Sequence, residues 1–239
     1  SVLLLVAALW ALQQWGLPVA ARVVTQALPH SVDAALGDVA LQAVDQQLMA
    51  PSQLPAQEQA RIRSAFTQAV NHLPAGAVPP WNLVFRASRI GPNALALPGG
   101  TLVMTDELVA LVDGNTDVLT AVLAHELGHL QHRHGLRMLV QVTLLGTLTS
   151  VLLGDFSTVL AGGAALVGQA HYSRNAEREA DAAAVRVLRA ARISPAAMVT
   201  LFDKMAEKRS TSAAHNAQPP DGGTRDWLGI AFASHPPDA

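Results

Sequence analysis

Three residues of one pentapeptide, His125, Glu126 and His129, have the types and spacing of a zinc site that carries its own general base. Side chains four positions apart lie on the same face of a helix, so the two imidazoles point to a common position. Catalytic zinc takes three protein ligands and leaves its fourth position to water, and two imidazoles suit two of the three. Glu126 lies beside the metal without ligating it, where it can accept a proton from the activated water. The H-E-x-x-H pentapeptide therefore predicts one zinc ion per chain and a hydrolytic site.

The best candidate for the third ligand is Glu177, about fifty residues further along the chain. Good helix formers with an apolar stripe follow it and predict a helix over about residues 174–191. On that helix Asp181 lies one turn beyond Glu177 on the same face, whereas Glu179 lies nearly opposite. Asp181 is then close enough to orient a ligand imidazole through its second ring nitrogen. The alternative is an exposed helix whose carboxylates form surface pairs with neighbouring arginines.

The elements that must position these residues are predicted to be mainly helical, with a small sheet. Half of the 239 residues are apolar, which is enough for one substantial core, while aromatic residues make up only 4%. Residues 83–90 have strand character, and residues 94–104, interrupted by Pro98, Gly99 and Gly100, read as a strand hairpin.

Capping residues predict where the helices around the site begin and end. Thr105 is expected to cap a short helix, and Asn115 or Thr116 to cap the helix of His125, which we expect to continue to about His134 and to stop at Gly135. His132 and His134 are then structural or solvent-facing, because zinc already has three ligands.

Charge and cysteine content exclude several classes of function. The net charge is −2 and no basic run is present, which argues against nucleic acid as a partner. The chain has no cysteine, so disulfides and thiolate zinc ligands are excluded.

Two apolar stretches raise the question of a membrane. Residues 1–21 carry no formal charge, and three interpretations compete: a truncated membrane anchor, the remnant of a signal peptide, or a helix packed on the domain. We favour the anchor, which divides the chain into a hydrophobic segment, residues 1–29, and a catalytic domain, residues 30–239. Residues 138–170 are expected to form a helical hairpin, because a single crossing would place the third ligand on the opposite side from the first two.

Four separated segments resemble the M48 family of zinc metallopeptidases, which includes the Ste24, HtpX, Oma1 and BepA types. The single-anchor Oma1/BepA-like branch is the most similar. The segments are Asn93-Ala94-Leu95-Ala96-Leu97-Pro98-Gly99-Gly100, His125-Glu126-Leu127-Gly128-His129, the S-R-x-x-E-x-x-A-D run that begins at Ser173, and Ser234-His235-Pro236.

This resemblance implies an α+β zincin-type (gluzincin) domain, with a small antiparallel sheet whose edge strand lines the active-site cleft. It assigns the third-ligand role to Glu177. Residues Asn93, Ala94, Leu95, Ala96 and Leu97 would form that edge strand and bind an extended peptide through backbone hydrogen bonds. The alternative for this strand is ordinary sheet core.

His235 has three possible roles. By resemblance it could plug the open position of the zinc in a latent state, or donate to the oxyanion during turnover. The alternative is a loop histidine held for packing by Pro236 and Pro237.

The resemblance implies a membrane-associated zinc metalloprotease, a hydrolase acting in protein quality control. It would cleave misfolded or membrane-associated polypeptides, in the bacterial cell envelope and on the periplasmic side. The alternative function is a latent protein of the same fold that binds or chaperones clients, with its zinc site plugged by His235. The intact Glu126 argues against permanent inactivity, because a structural site needs no base.

Overall fold

The computed structural model describes residues 2–153 and 172–215, in which helices dominate and four short strands form one sheet. The helices are α1 (Val2–Ala11), α2 (Leu17–Ala27), α3 (His30–Gln47), α4 (Ala56–Val70), α5 (Asp106–Leu111), α6 (Thr116–Gln131), α7 (His134–Leu153), α8 (Arg174–Ala190) and α9 (Ala196–His215). The strands are β1 (Met49–Pro51), β2 (Asn82–Ser88), β3 (Ala94–Leu97) and β4 (Thr101–Thr105). The mainly helical α+β fold with a small sheet is therefore confirmed.

The sheet has the strand order β1-β2-β4-β3 and is mixed. The predicted hairpin of β3 and β4 is present and antiparallel, but β2 and β4 pair in parallel, so the expectation of an antiparallel sheet was wrong in this respect. The reason is that β4 returns between β2 and β3, which pushes β3 to the edge. Leu102, Val103 and Met104 of β4 are completely buried, as expected for a central strand.

Helix α6 runs through the core and carries His125 and His129. Every residue from 118 to 129 is buried, and a helix enclosed on all sides packs inside a domain. It contacts β3 and β4 as well as α8. Gly128 permits the close approach of α8, because a Cβ there would lie 2.7 Å from the Cα of Ala180. This packing brings residues of α8 to the two histidines.

The predicted helix starts are present, but the end of α6 differs from the prediction. The side chains of Thr105 and Asn115 accept backbone hydrogen bonds at the starts of α5 and α6. Helix α6 ends at Gln131 rather than near His134, because Arg133 adopts a left-handed conformation with φ of 52°. The chain then turns and α7 begins at His134, which is thereby redirected towards the core.

Tertiary contacts hold Arg133 in this conformation. Its guanidinium forms a two-pronged ion pair with the buried Asp33, and it also donates to the carbonyl oxygens of Thr25 and Leu28. A left-handed conformation is unfavourable for a residue with a side chain, so these four contacts offset its cost.

The N-terminal helices are connected to the rest of the fold through α2, which packs along α7. Among the described residues, no helix combines the length and the apolar character that crossing a bilayer requires. Helix α7 forms the first part of the predicted hairpin, and residues 154–170, where its second helix was expected, lie outside the described residues. The division of the chain at residue 29 stays a prediction.

Candidate metal centre

The imidazoles of His125 and His129 converge on one face of α6. Their Nε2 atoms are 3.1 Å apart, and both residues are buried. The four-residue spacing in a regular helix produces this convergence, as expected from the pentapeptide. Each ring directs its Nδ1 atom away from the point of convergence, towards a different partner.

Glu177 joins the two histidines from the first turn of α8. Ser173 fixes the start of that helix by accepting a hydrogen bond from the backbone nitrogen of Ala176. The Glu177 carboxylate is 3.3 Å from His125 Nε2 through Oε2, and 3.6 Å from His129 Nε2 through Oε1. The structure thus brings together the three residues that the spacing selected as ligands.

The three donor groups fit zinc in type and in spacing. Two imidazole nitrogens and one carboxylate form a donor set found in catalytic zinc sites. A tetrahedral ion with ligand distances of about 2.0–2.1 Å separates its ligands by roughly 3.3–3.4 Å. The separations here, 3.1, 3.3 and 3.6 Å, bracket that value. We therefore regard His125, His129 and Glu177 as a candidate zinc site.

Asp181 is placed to orient His125. Its Oδ1 atom is 2.8 Å from His125 Nδ1, one turn of α8 beyond Glu177. A carboxylate at this distance accepts a hydrogen bond, so the neutral ring carries its proton on Nδ1 and leaves the Nε2 lone pair for a metal. The side chain of Asp181 is 58% exposed, so water competes for its oxygens.

Glu126 lies within the same buried group of acidic and aromatic side chains. It is 2% exposed and follows His125 directly on α6. Burial, followed by the charges of Glu126 and Glu177, raises the pKa of the Tyr172 hydroxyl. The ring of Tyr172 stacks on His129 with 4.1 Å between centroids. Both carboxylates are therefore near His129 and its aromatic neighbour.

A second group of two histidines and one glutamate adjoins the first. It consists of His132, His134 and Glu179, and we call it the adjoining cluster. His134 Nδ1 is 2.9 Å from His129 Nδ1, and His134 Nε2 is 2.9 Å from Glu179 Oε2. His132 is more distant, with 3.9 Å between its Nδ1 and the same carboxylate oxygen.

Two arginines from different helices hold the carboxylate of the adjoining cluster. Arg22 of α2 lies 2.6 Å from Glu179 Oε1, and Arg137 of α7 lies 3.1 Å from Oε2. Burial opposes the ionisation of Glu179, but His134 and the two arginines outweigh it and lower its pKa. Burial lowers the pKa of His134 to about 4, and it also lowers the pKa of His132.

The predicted substrate strand lies at the edge of the sheet. Strand β3 pairs with β4 on one side and packs on α6, and its four side chains are buried. A cavity of about 340 Å³ is lined by Ala96 and Pro98 together with His129, so it extends from the strand to one of the three candidate ligands. Asn93 precedes the strand and donates its backbone N–H to Thr105 Oγ1. His235 lies outside the described residues.

Comparison with known sequences supplies the family. The sequence model of peptidase family M48 matches residues 56–239, which is most of the chain. The chain belongs to peptidase family M48. The predicted family is thereby confirmed, and the candidate zinc site lies within the matched residues.

Curated relatives fall in the branch that the motifs indicate. The chain is 31% identical over 143 residues to the beta-barrel assembly-enhancing protease of Escherichia coli (strain K12), covering 54% of this chain and 28% of the relative. It is 32% identical over 120 residues to the mitochondrial metalloendopeptidase OMA1 of Schizosaccharomyces pombe, covering 48% of this chain and 34% of the relative. The chain thus spans about a third or less of the length of these relatives.

Three residues beside the candidate zinc site were not predicted from the sequence to lie there: His134, Glu179 and Tyr172. Of the two roles expected for His134, structural or solvent-facing, the structure excludes the second, because His134 is 2% exposed and contacts His129. Glu179 was placed opposite Glu177 on its helix, which is correct, but α7 begins on that side and brings His134 to it. The sequence did contain one signal for this arrangement, which is the second glutamate, Glu179, two positions after the proposed ligand Glu177.

Proposed function

We propose that this chain is a zinc-dependent endopeptidase with His125, His129 and Glu177 as its metal ligands. The observation that carries the proposal is the convergence of two imidazole nitrogens, 3.1 Å apart, with a carboxylate whose oxygens lie 3.3 and 3.6 Å from them, on two helices and beside a buried glutamate. Membership of a metallopeptidase family supports the same conclusion.

Glu126 is the proposed general base. When bound, zinc supplies a water of lowered pKa and polarises the carbonyl of the scissile peptide bond. Glu126 accepts the proton of the attacking water and then delivers it to the nitrogen of the departing amine, so one carboxylate serves as base and then as acid. Its side chain is 2% exposed, so bulk water has little access to the carboxylate.

Asp181 and strand β3 are proposed to position the ligand and the substrate. Asp181 holds His125 in the tautomer that presents Nε2 to the metal. The edge of β3 binds a peptide in extended form through backbone hydrogen bonds, which demands little of the substrate's sequence. This mode suits misfolded or unfolded polypeptides, because they can offer an extended segment to the edge.

We further propose that the chain works at a membrane, with residues 1–29 as the attached segment. Helices α1 and α2 and the segment between them expose several large apolar side chains to solvent: Leu3, Leu4, Trp10, Trp15, Val19 and Val23. Exposed apolar surface of this extent is typical of contact with a membrane or a partner. The name of the Escherichia coli relative refers to β-barrel assembly, which favours a bacterial envelope location on the periplasmic side.

The test is cleavage of an unfolded model protein by the zinc-loaded chain beside its Glu126→Gln variant. Loss of a general base costs about 10²–10⁴-fold in rate, and we expect the variant to lose at least that much while still binding zinc. Equal cleavage by both proteins would contradict the proposed role of Glu126. Zinc binding without cleavage by either protein would favour the latent, client-binding alternative, and His235→Ala would then be expected to release activity.

A further inference from the structure

The ring of His134 lies between the ligand His129 and a carboxylate. Its Nδ1 atom is 2.9 Å from His129 Nδ1, and its Nε2 atom is 2.9 Å from Glu179 Oε2. His134 is 2% exposed, so water does not replace either contact. The Nδ1 atom of His129 thus contacts an imidazole, whereas the Nδ1 atom of His125 contacts the carboxylate of Asp181.

The positions of the protons follow from these contacts. The Glu179 carboxylate is an acceptor only, so the neutral ring of His134 carries its proton on Nε2 and donates it there. Its Nδ1 atom is then an acceptor, and His129 must donate from its own Nδ1. This leaves the Nε2 lone pair of His129 directed at His125 Nε2 and Glu177.

We propose that His134 is a positioning residue that, held by Glu179, fixes the tautomer and the orientation of His129 as a metal ligand. This inference rests on the zinc site proposed above. Glu179 acts on His129 through one intervening imidazole, and Arg137 and Arg22 hold Glu179 in place. Tyr172 stacks on the face of His129 and restricts its rotation further. The two ligand histidines are thus oriented by two carboxylates of α8, one directly and one through His134.

The same residues suggest a second metal site, which the structure argues against. His132, His134 and Glu179 could offer three donor atoms. However, two guanidinium groups lie 2.6 and 3.1 Å from the carboxylate, and they repel a dication placed there. The Nδ1 atom of His134 is engaged by His129 and its Nε2 atom by Glu179. The expected stoichiometry is therefore one zinc per chain.

The test measures zinc affinity of the full chain by competition with a chromophoric chelator. Outer partners of ligand histidines typically contribute 10–100-fold to metal affinity, and we expect a loss of about that size in His134→Leu. His134→Asn keeps an acceptor near the position of Nδ1 and is expected to recover most of the loss. His72→Leu is the matched control, with a change below about twofold, because His72 is exposed, lies just beyond the end of α4 and belongs to neither cluster.

Nitrogen-15 spectra of histidine-labelled protein provide a readout that a purely structural role does not change. In the zinc-loaded parent, we expect His129 protonated on Nδ1 and His134 protonated on Nε2. In metal-free Glu179→Gln, the side-chain amide can donate to His134 Nε2, so the opposite tautomer of both rings should become populated. This measurement also keeps the proposal testable if His134→Leu fails to fold.

The outcomes separate this inference from the proposed function. If the parent binds no zinc, both are overturned. If the parent binds zinc and His134→Leu binds it equally well, or if His134 carries its proton on Nδ1, only the positioning role is overturned. Binding of two zinc ions per chain would overturn it in favour of a second metal site.

Discussion

The candidate zinc site and the adjoining cluster contain the same residue types, two histidines and one glutamate, and they lie side by side with both glutamates on α8. In the first, two imidazole nitrogens and one carboxylate converge, and the ring nitrogens that face away from the centre contact Asp181 and His134. In the second, the carboxylate is already held by Arg22 and Arg137. Residue composition alone therefore does not distinguish a metal site from a supporting cluster.

Charge explains the different roles that we propose for the two clusters. Two unit charges about 4 Å apart interact by about 1 kcal/mol in bulk water, so two guanidinium groups at such distances oppose a dication by about 4 kcal/mol before screening by salt. The candidate zinc site instead places two carboxylates, Glu126 and Glu177, in a buried region. A bound cation stabilises buried negative charge, so these two carboxylates favour a metal ion where the two guanidinium groups of the adjoining cluster oppose one.

The largest predicted effect comes from removing a ligand of the candidate zinc site. Glu177→Gln takes away the charged donor, and zinc affinity should fall by more than about 100-fold, beyond the range typical of an outer partner. Zinc should raise the melting temperature of the parent, because it binds only the folded state, and should leave that of Glu177→Gln unchanged. The measurement is a thermal melt with zinc and with a chelator.

Glu179→Gln is the matched control for this prediction. It is the same substitution, two positions along α8, in the cluster that we expect to bind no metal. Its zinc affinity should fall by no more than about 10–100-fold. An equal or greater loss than in Glu177→Gln would contradict the division of roles between the two clusters.

The next effect tests the helix contact that both clusters depend on. Gly128→Ala places a Cβ 2.7 Å from the Cα of Ala180, so α8 must move away from α6. Overpacking of this kind costs about 1–3 kcal/mol in the free energy of unfolding, and we expect zinc affinity to fall with it. Both quantities can be measured by chemical denaturation and by chelator competition.

Gly76→Ala is the control that shows whether the lower zinc affinity expected of Gly128→Ala comes only from its lower stability. Gly76 has φ of 79° and nothing within 4 Å of the added Cβ, so its cost is backbone strain of about 1–2 kcal/mol. Its zinc affinity should match that of the parent. If zinc affinity falls equally in Gly128→Ala and Gly76→Ala, the cause is general destabilisation and not a displacement of α8.

Most of the fold and the three proposed ligands could be predicted because their signals are local. Histidines four apart on a helix, a capped helix start at Asn115 and the Pro98-Gly99-Gly100 turn each depend on a few neighbouring residues. The parallel pairing of β2 with β4 could not be predicted in this way, because it depends on which strand occupies the centre of the sheet.

His134 escaped prediction for the same physical reason. Its position depends on the left-handed Arg133, and that conformation is stabilised by Asp33 and by the carbonyl oxygens of Thr25 and Leu28. These partners lie at least 100 positions away in the sequence. A continuous helix was the better local prediction, and tertiary contacts overrode it.

A smaller effect on zinc affinity is expected from a substitution of Asp181, which contacts the ligand His125. Asp181→Asn preserves the shape but lets an amide donate to His125 Nδ1, which favours the tautomer that cannot bind zinc. Because the Asp181 side chain is 58% exposed and that of Glu179 is 30% exposed, water can replace Asp181 more readily. We expect a loss of about tenfold or less in zinc affinity, below that of His134→Leu. A larger loss would show that the direct carboxylate is the more important of the two.

The smallest predicted effect would turn the adjoining cluster into a weak metal site. In a variant combining Arg22→Ala with Arg137→Ala, the carboxylate of Glu179 loses both cations, and His132 is near enough to share a metal with it. We expect a second zinc to bind more weakly than the first, because the 33% exposed His132 and the 30% exposed Glu179 must be ordered to hold it. Zinc titration should then give a second step that disappears in the same variant carrying His132→Leu. If the arginine variant still binds one zinc, the two guanidinium groups do not explain the difference between the clusters, and the contact between His129 and His134 becomes the better explanation.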